Sequence, residues 1–282
     1  MPLDLAALLS EGRWLLEQAE IETAALDARL LLQHAARVAH EELIAEPHRL
    51  ISGKAGLSYR SMIARRCAHE PVSRIIGRRE FYGRDFKITP AVLDPRPDTE
   101  TLVEAALSFL PQDRPSTVLD LGTGSGAIIV SLLVERSLAE GAASDLSPAA
   151  LAVARANAHR HGVAPRLTLI ETSWWRGISG SFDLIVSNPP YIPHGAIADL
   201  ETEVRNFDPA TALDGGPDGL EAYRRIAGGA LAHLRHGGSI LVEVGDGQSN
   251  AVTSIFQERG FSIADQRTDL CGRTRCLGFA LR

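Results

Sequence analysis

Apolar positions recur at helical spacing up to about residue 70 and then change period twice. Leu5, Leu8, Leu9, Leu15 and Leu16 fall on one helix face, as do Leu26, Leu30 and Leu31. Asp4 is placed to cap the first helix, and Thr23 with Asp27 to open the second. Gly53 and Gly56 are expected to break the next helical stretch, and Pro71 to end the one that carries Met62 and Ile63. From Arg74 to Pro97 the pattern alternates. Ile75, Ile76, Phe81, Phe86 and Ile88 form two short strand-like runs around Tyr82-Gly83-Arg84, which predicts a hairpin. Arg74, Arg78, Arg79, Arg84 and Lys87 take its exposed positions, either as charges that protect an edge ribbon or as a docking surface. Pro95 and Pro97 hold Arg96 extended, fit for a linker or for bracing a ligand above the sheet. Asp98 suits the N-cap of a helix running through Leu102, Val103, Ala106, Leu107 and Leu110.

From Thr117 the pattern alternates strand with helix, as in a doubly wound sheet. Strands are expected near 117–121, 142–145, 166–170, 182–187, 238–244, 261–265 and 276–281, and helices near 126–139, 148–161, 219–235 and 249–259. Gly237-Gly238 and Gly260 read as residues just past helix ends, and Asn157 as a helix-end residue without a special role. Thr268 to Arg275 is too short for a crossover helix, so the last two strands should run antiparallel. The fold class expected is α/β: a Rossmann-like seven-stranded sheet with an antiparallel last strand, a small all-helical N-terminal domain and a β-hairpin linker. The expected boundaries are 1–73, 74–97 and 98–282.

Composition narrows the function. The chain has 282 residues, 45% of them hydrophobic, enough for one large α/β domain and a smaller one. A formal net charge of −6 argues against a protein that holds nucleic acid by a basic surface. No apolar run can span a bilayer, and Met1-Pro2-Leu3-Asp4 lacks a basic n-region and an h-region. Cys67, Cys271 and Cys276 cannot all pair within the chain, and the spacing of the last two, with no neighbouring Cys/His set, does not suit zinc. A reduced, cytoplasmic protein without membrane contact or metal is expected. The nine histidines are scattered, and none is assigned a chemical role.

The chemistry centres on Ser187-Asn188-Pro189-Pro190-Tyr191, directly behind the apolar run Phe182-Asp183-Leu184-Ile185-Val186. The run reads as a buried parallel strand. The two prolines cannot extend it, since neither has a backbone N–H, and they stiffen what precedes them. The result is a rigid shelf at a strand's carboxyl end, where open α/β sheets place ligands. It carries an amide, carbonyls and an aromatic ring, suited to holding a planar amino or amide group. A plain proline-rich turn would carry the same letters.

Val118-Leu119-Asp120-Leu121-Gly122-Thr123-Gly124-Ser125-Gly126 is a strand running into a glycine turn and a helix. Its G-x-G-x-G spacing departs from the dinucleotide fingerprint. Asp120 just ahead of the turn suits the positive ends of S-adenosylmethionine better than a pyrophosphate. Asp145, ending the next strand, can accept hydrogen bonds from both ribose hydroxyls, and Ser147 with Pro148 opens the following helix. Trp174, after the third strand, is placed to lie against adenine, or to fill the core.

Asp120-Leu-Gly122-Thr-Gly124-Ser-Gly126, Asp145 and Asn188-Pro-Pro-Tyr191 resemble the class I S-adenosylmethionine-dependent methyltransferases of amino and amide nitrogens. Within these, the chain is most similar to the release factor glutamine N5-methyltransferases. The further matches are Pro71-Val72, Gly77 to Gly83, Leu93 to Glu100, Phe207 to Gly216 and Asp218-Gly219-Leu220, so the resemblance spans essentially the whole chain. It implies a cofactor pocket of Gly122, Thr123, Gly124, Ser125, Gly126, Asp145, Trp174 and Asn188. It implies a glutamine held by Asn188, Pro189, Pro190 and Tyr191, with Asn188, Pro189 and Tyr191 at the reaction. The implied donor is S-adenosylmethionine, leaving S-adenosylhomocysteine. The implied substrates are class 1 peptide chain release factors, methylated at the glutamine of their Gly-Gly-Gln motif with no nucleic acid required. Two departures stand out: Ser173 precedes Trp174 where relatives often have an acid, and Gly141-Ala142-Ala143-Ser144 is less apolar than usual.

Rival readings use the same shelf. A methyltransferase for a ribosomal-protein glutamine is chemically identical. A nucleic-acid adenine N6-methyltransferase needs a flipped or single-stranded base and normally a basic groove. A nicotinamide oxidoreductase is disfavoured by the glycine spacing and the antiparallel last strand.

Overall fold

The computed structural model describes residues 3–269 and 271–281; Met1 and Pro2, part of the stretch Met1-Pro2-Leu3-Asp4 read above, lie outside them. The chain forms two compact units. One comprises the residues up to Arg78 together with Glu201–Phe207, the other Arg79–Leu200 with the residues from Asp208 onward. Among the described residues no helix is long and apolar enough to cross a membrane.

In the first unit, helices Leu5–Gln18, Ala24–Ala36 and Gly53–Cys67 close on Leu8, Leu16, Leu31, Leu32, Tyr59 and Ile63. Asp4 caps the first, its carboxylate accepting the Ala7 N–H at 2.6 Å. Thr23 occupies the N-cap of the second, but its hydroxyl donates to Asp27 Oδ2 at 2.8 Å instead of capping a helix N–H. The buried stripe of that helix is Ala24, Ala28, Leu31 and Leu32, while Leu26 and Leu30 face solvent. The leucine spacing alone misplaces the stripe because the small alanines, which let helices approach closely, carry half of it. Gly53 and Gly56 do not break a helix: Ser52 accepts the Ala55 N–H at 3.2 Å and opens one at Gly53. The unit is not purely helical, since Leu3–Asp4 and Leu50–Ile51 pair as a two-residue antiparallel ribbon. Ile75 and Ile76 belong to a short helix, Val72–Ile76, and not to a strand.

A hairpin of strands Arg78–Phe81 and Arg84–Lys87 follows, all of it but Arg78 in the second unit. Tyr82 and Gly83 between them both have positive φ, +50° and +68°, which matches the twist of a two-residue turn. Arg96, at the N-cap, leads into a 3₁₀ turn Pro97–Thr99 and the helix Glu100–Phe109. Asp98 is therefore inside the turn and not the cap. Its carboxylate pairs with Arg275 at 3.0 Å.

The central sheet has seven strands in the order Phe261–Thr268, Thr274–Leu281, Leu234–Glu243, Phe182–Ser187, Ser116–Leu121, Ala139–Asp145, Leu167–Glu171. All neighbours run parallel except Thr274–Leu281, antiparallel to both its partners. Val118, Leu184, Val186 and Leu241 point into the layer of helices Glu100–Phe109, Ala127–Glu135 and Pro148–Arg160. Leu119, Ile185, Ile240 and Val242 point into that of Glu221–His233 and Ser249–Gln257. A strand covered on both faces needs apolar residues at every position, which is why these strands read as unbroken runs.

The low apolarity of Ala139–Asp145 has a packing cause. A Cβ on Gly141 would stand 3.0 Å from the Ile129 and Leu133 side chains, so the helix seated there requires small residues beneath it. Gly237 and Gly238 lie inside the strand Leu234–Glu243 rather than past a helix end. There the pairing with Phe182–Ser187 is irregular, and a Cβ on Gly238 would meet the Phe182 carbonyl at 3.0 Å.

Candidate functional site

Two adjacent parallel strands, Ser116–Leu121 and Phe182–Ser187, pair Val118 with Leu184 and Asp120 with Val186. Their carboxyl ends therefore leave the sheet side by side, one as the glycine turn and the other as the Asn188 shelf. The next strand of the winding lies on opposite sides of Ser116–Leu121 in the two halves of the sheet, and crevices form at such switch points. Ser187 locks the pair, its hydroxyl donating to the Leu121 carbonyl at 2.7 Å.

The glycine turn is set by backbone conformation. Gly122, Gly124 and Gly126 have φ of +74°, +54° and +79°, a region that side chains strongly disfavour. The Gly122 and Thr123 N–H groups both donate to the Ser144 carbonyl at 2.9 Å. Around Gly122 and Gly124, the place of a Cβ is open space. At Gly126 a Cβ would meet Ala154 at 3.2 Å. The third glycine therefore serves helix packing and does not line the cavity, a narrower role than its place in the motif implies.

A cavity of about 910 Å³ lies over these strand ends. Its wall includes Gly122, Thr123, Gly124, Ser125, Asp145, Trp174, Asn188, Pro189 and Pro190. Of the residues expected here, Gly126 and Tyr191 are not on that wall. Asp145 Oδ2 accepts the Gly124 N–H at 2.8 Å and Oδ1 the Ser147 N–H at 2.9 Å. Each oxygen keeps a second lone pair for a ligand hydroxyl. Trp174 sits half-buried at φ +53°, unusual for a bulky residue and typical of strain kept at a site. Trp174 and its neighbour Trp175, also half-buried, both pack against the cluster of Leu119, Ile185 and Tyr223, and Trp175 is held there by its own contacts. That ring stacks on His233 at 5.0 Å and fills the space over Gly229.

Asp120 does not reach the cavity. It is fully buried beneath the turn, with Oδ2 accepting the Thr123 hydroxyl at 2.7 Å and Oδ1 without a partner among the described residues. Burial pushes its carboxyl up to about 7, with Thr123 pulling down and the Asp145 charge adding to the rise.

On the shelf, Asn188 Nδ2 donates to Thr99 Oγ1 at 3.0 Å. The Asn188 carbonyl oxygen makes no hydrogen bond among the described residues. Tyr191 turns away from the cavity, its hydroxyl 3.5 Å from Glu243 Oε1. Burial raises the phenol well above its ordinary value, so it stays neutral. Glu243 ends its strand just behind the shelf at 2% exposure. Burial pushes its carboxyl up to about 7, while the facing Thr99 hydroxyl and Arg275 favour the charged form.

The shelf is braced from behind by residues that sequence reasoning does not place. Ile192 N–H donates to the Leu213 carbonyl at 3.0 Å and Gly215 N–H to the Ile192 carbonyl at 2.8 Å. Gln248 Nε2 donates to the Tyr191 carbonyl at 2.9 Å. Gly215 and Gly219 have to be glycine: a Cβ would come within 2.9 Å of the Pro190 carbonyl and 2.4 Å of the Tyr191 carbonyl. Asn157, expected to have no special role, is buried and bonds both Lys87 backbone groups and the Ser125 carbonyl, tying the hairpin to the glycine turn. Arg96 lines the cavity and pairs with Asp208 at 2.6 Å. For Asp208, Leu213, Gly215 and Gly219 the signal is the density of Gly, Asp and Pro in 207–219, which announces no mechanical role by itself; Gln248 and Asn157 carry no such local signal.

Residues 7–77 match the family described as PrmC N-terminal domain, and residues 98–206 match the Methyltransferase small domain. The release factor glutamine methyltransferase of Cereibacter sphaeroides is 46% identical over 266 residues, 94% of this chain and 94% of its own length. The protein of the same name from Rhodospirillum rubrum is 43% identical over 275 residues, 98% of this chain and 84% of its own length. A solved methyltransferase from Pyrococcus furiosus shares the fold at a TM-score of 0.52 and 20% identity, covering 78% of this chain and 96% of that one.

Proposed function

This chain belongs to the release factor glutamine methyltransferase family, and from that premise we propose that Asn188 holds the glutamine amide whose nitrogen is methylated. The chain is a protein-glutamine methyltransferase, and the reading is transfer to the side-chain N5 of the glutamine in the Gly-Gly-Gln motif of class 1 release factors. The donor that fits the residues present is S-adenosylmethionine. Gly122 and Gly124 leave open backbone, Asp145 has lone pairs for ribose hydroxyls, and Trp174 offers an aromatic face. When bound, S-adenosylmethionine supplies a methyl group carried on positively charged sulfur.

The observation that carries the reading is the Asn188–Thr99 hydrogen bond beside the glycine turn. A glutamine amide is a poor nucleophile because its nitrogen lone pair is delocalised into the carbonyl. As the N–C bond forms, positive charge grows on that nitrogen and its N–H bonds become acidic. Two acceptors aimed at them, the Asn188 side-chain oxygen and the Pro189 carbonyl, favour the charge as it develops. Each contributes on the order of 3 kcal/mol if it behaves as a preorganised oxyanion-hole donor of reversed sign. Fixing the amide on a shelf that cannot flex adds up to about 7–11 kcal/mol through orientation. No strong base is needed beforehand, in keeping with the absence of His or Lys from the shelf. Tyr191 contributes by seating the shelf against Glu243 rather than by touching the amide.

The test is incubation with labelled S-adenosylmethionine and, in parallel, purified release factors, a ribosomal protein fraction and DNA. Label at the Gly-Gly-Gln glutamine supports the reading. Label in ribosomal protein or DNA replaces it with one of the rivals.

A further inference from the structure

The Asn188 amide enters the site with one end engaged, Nδ2 on Thr99 Oγ1 at 3.0 Å. Thr99 is 4% exposed, so its hydroxyl proton needs an acceptor inside the protein. The acid beside it is Glu243, 2% exposed, whose charged form the Thr99 hydroxyl favours; its Oε1 lies 3.5 Å from the Tyr191 hydroxyl, and its Oε2 makes no hydrogen bond, to Thr99 or to any other described residue. Register places the two together: Ser187 pairs with Val242, so Asn188 and Glu243 follow one another off adjacent strand ends. Thr99 is delivered against both by the 3₁₀ turn Pro97–Thr99.

A hydroxyl between two such groups transmits polarity. We propose that Glu243, acting through Thr99, sets the orientation of the Asn188 amide and so makes it an acceptor toward the substrate nitrogen; this rests on the role given to Asn188 above. An ionised Glu243 draws the Thr99 proton. Thr99 Oγ1 must then accept from Asn188 Nδ2, and Asn188 Oδ1 faces the site. A protonated Glu243 can donate to Thr99 Oγ1, freeing the Thr99 proton for Asn188 Oδ1. The amide then turns its NH2 to the site, where it opposes the substrate N–H groups. Glu243 is thus a positioning residue, and nothing in the reaction requires it to touch substrate.

The other titratable or charged groups around Glu243 come from four elements: Asp98 beside Thr99, Tyr191 on the shelf, Tyr223 on helix Glu221–His233, and Arg275 with Cys276 on the last strand. Arg275 is held by Asp98 and Asp269 at 3.0 Å each. Burial raises both tyrosines and Cys276 far above neutrality. Burial pushes Glu243 itself up to about 7.

The first measurement is ligand-free: the side-chain amide signals of Asn188 in ¹⁵N-labelled protein, identified by their loss in Asn188→Asp, followed from about pH 5.5 to 8.5. They are expected to titrate near neutrality in the wild type and in Thr99→Ser, and to stay fixed in Glu243→Gln and Thr99→Val. The second is methyl transfer. Thr99→Val is expected to lose kcat on the order of 10²-fold with little change in KM, Thr99→Ser to retain most of it, and Glu243→Gln to flatten the acid limb of the kcat profile. Asn188 signals that do not move with pH in folded wild type, or wild-type kcat in Thr99→Val, overturn the proposal. Failure of the wild type to label release factors counts against the substrate instead, and the amide titration still decides the relay.

Discussion

The carboxylate of Asp145 accepts the backbone N–H of Gly124 at 2.8 Å, so the end of one strand clamps the glycine turn that leaves its neighbour. The same side chain binds the Ser147 N–H at 2.9 Å and still faces the cavity. In the function proposed above, the residue that shapes the turn is also one that holds the donor.

Asp145→Ala should therefore weaken S-adenosylhomocysteine binding by on the order of 10–100-fold, the range of one or two hydrogen bonds to a charged group. Titration calorimetry reads this directly, and unchanged affinity would remove Asp145 from the cofactor site.

Two buried carboxyls, Asp120 and Glu243, are each pushed up to about 7. Their protonated forms are the ones folding favours. The stability they contribute is complete below the ordinary carboxylate range and is lost as pH rises from there through about 7. A tenfold change in proton affinity is worth roughly 1.4 kcal/mol, so each loss reaches at most about 4 kcal/mol. Urea unfolding of the ligand-free protein should show stability falling from about pH 5 to about pH 7, with a shallower fall in Asp120→Asn. An equally steep fall in that variant would contradict the assignment.

Arg66 and Asp27 form a buried ion pair at 2.7 Å in the first unit, with side-chain exposures of 5% and 7%, and Arg66 also meets Glu203 at 2.6 Å. Asp27→Ala leaves a buried guanidinium under-paired and should cost about 3–5 kcal/mol, whereas the apolar pair Arg66→Met with Asp27→Leu should cost much less. Chemical denaturation of the single and double variants checks the order.

Gly219 and Gly247 make a matched pair, both at φ +75°, but only Gly219 faces a carbonyl, that of Tyr191, at 2.4 Å from an added Cβ. Gly247→Ala should cost the left-handed strain alone, about 1–2 kcal/mol. Gly219→Ala should cost more and also lower kcat by displacing the shelf. Equal effects at the two positions would mean that the brace does not hold the shelf.

What is legible in the sequence follows local rules. Phe182–Ser187 stands out because both its faces are covered, and the glycine turn because positive φ selects glycine at 122, 124 and 126. The antiparallel last strand follows from a connection too short to cross over. What stays hidden depends on partners far apart in the chain. Thr99 and Asn188 are 89 residues apart, Gln248 and Tyr191 57, and no local period announces either contact. Tyr191 follows the prolines and so reads as flanking the amide, yet which way a side chain leaves such a turn is set by Glu243 and Gln248. Asp98 has the chemistry of a cap, but it lies inside a 3₁₀ turn capped by Arg96, and Thr99 takes the N-cap of the helix that follows.

The central claim is that Asn188 acts on the glutamine amide and not on the donor. Asn188→Ala should keep S-adenosylhomocysteine affinity within a fewfold of wild type by calorimetry. In single-turnover methylation of a release factor, its rate should fall by at least about 10²-fold, the loss expected for one preorganised dipole. A variant that transfers methyl at the wild-type rate, or that loses donor binding in proportion to its rate, would contradict the account.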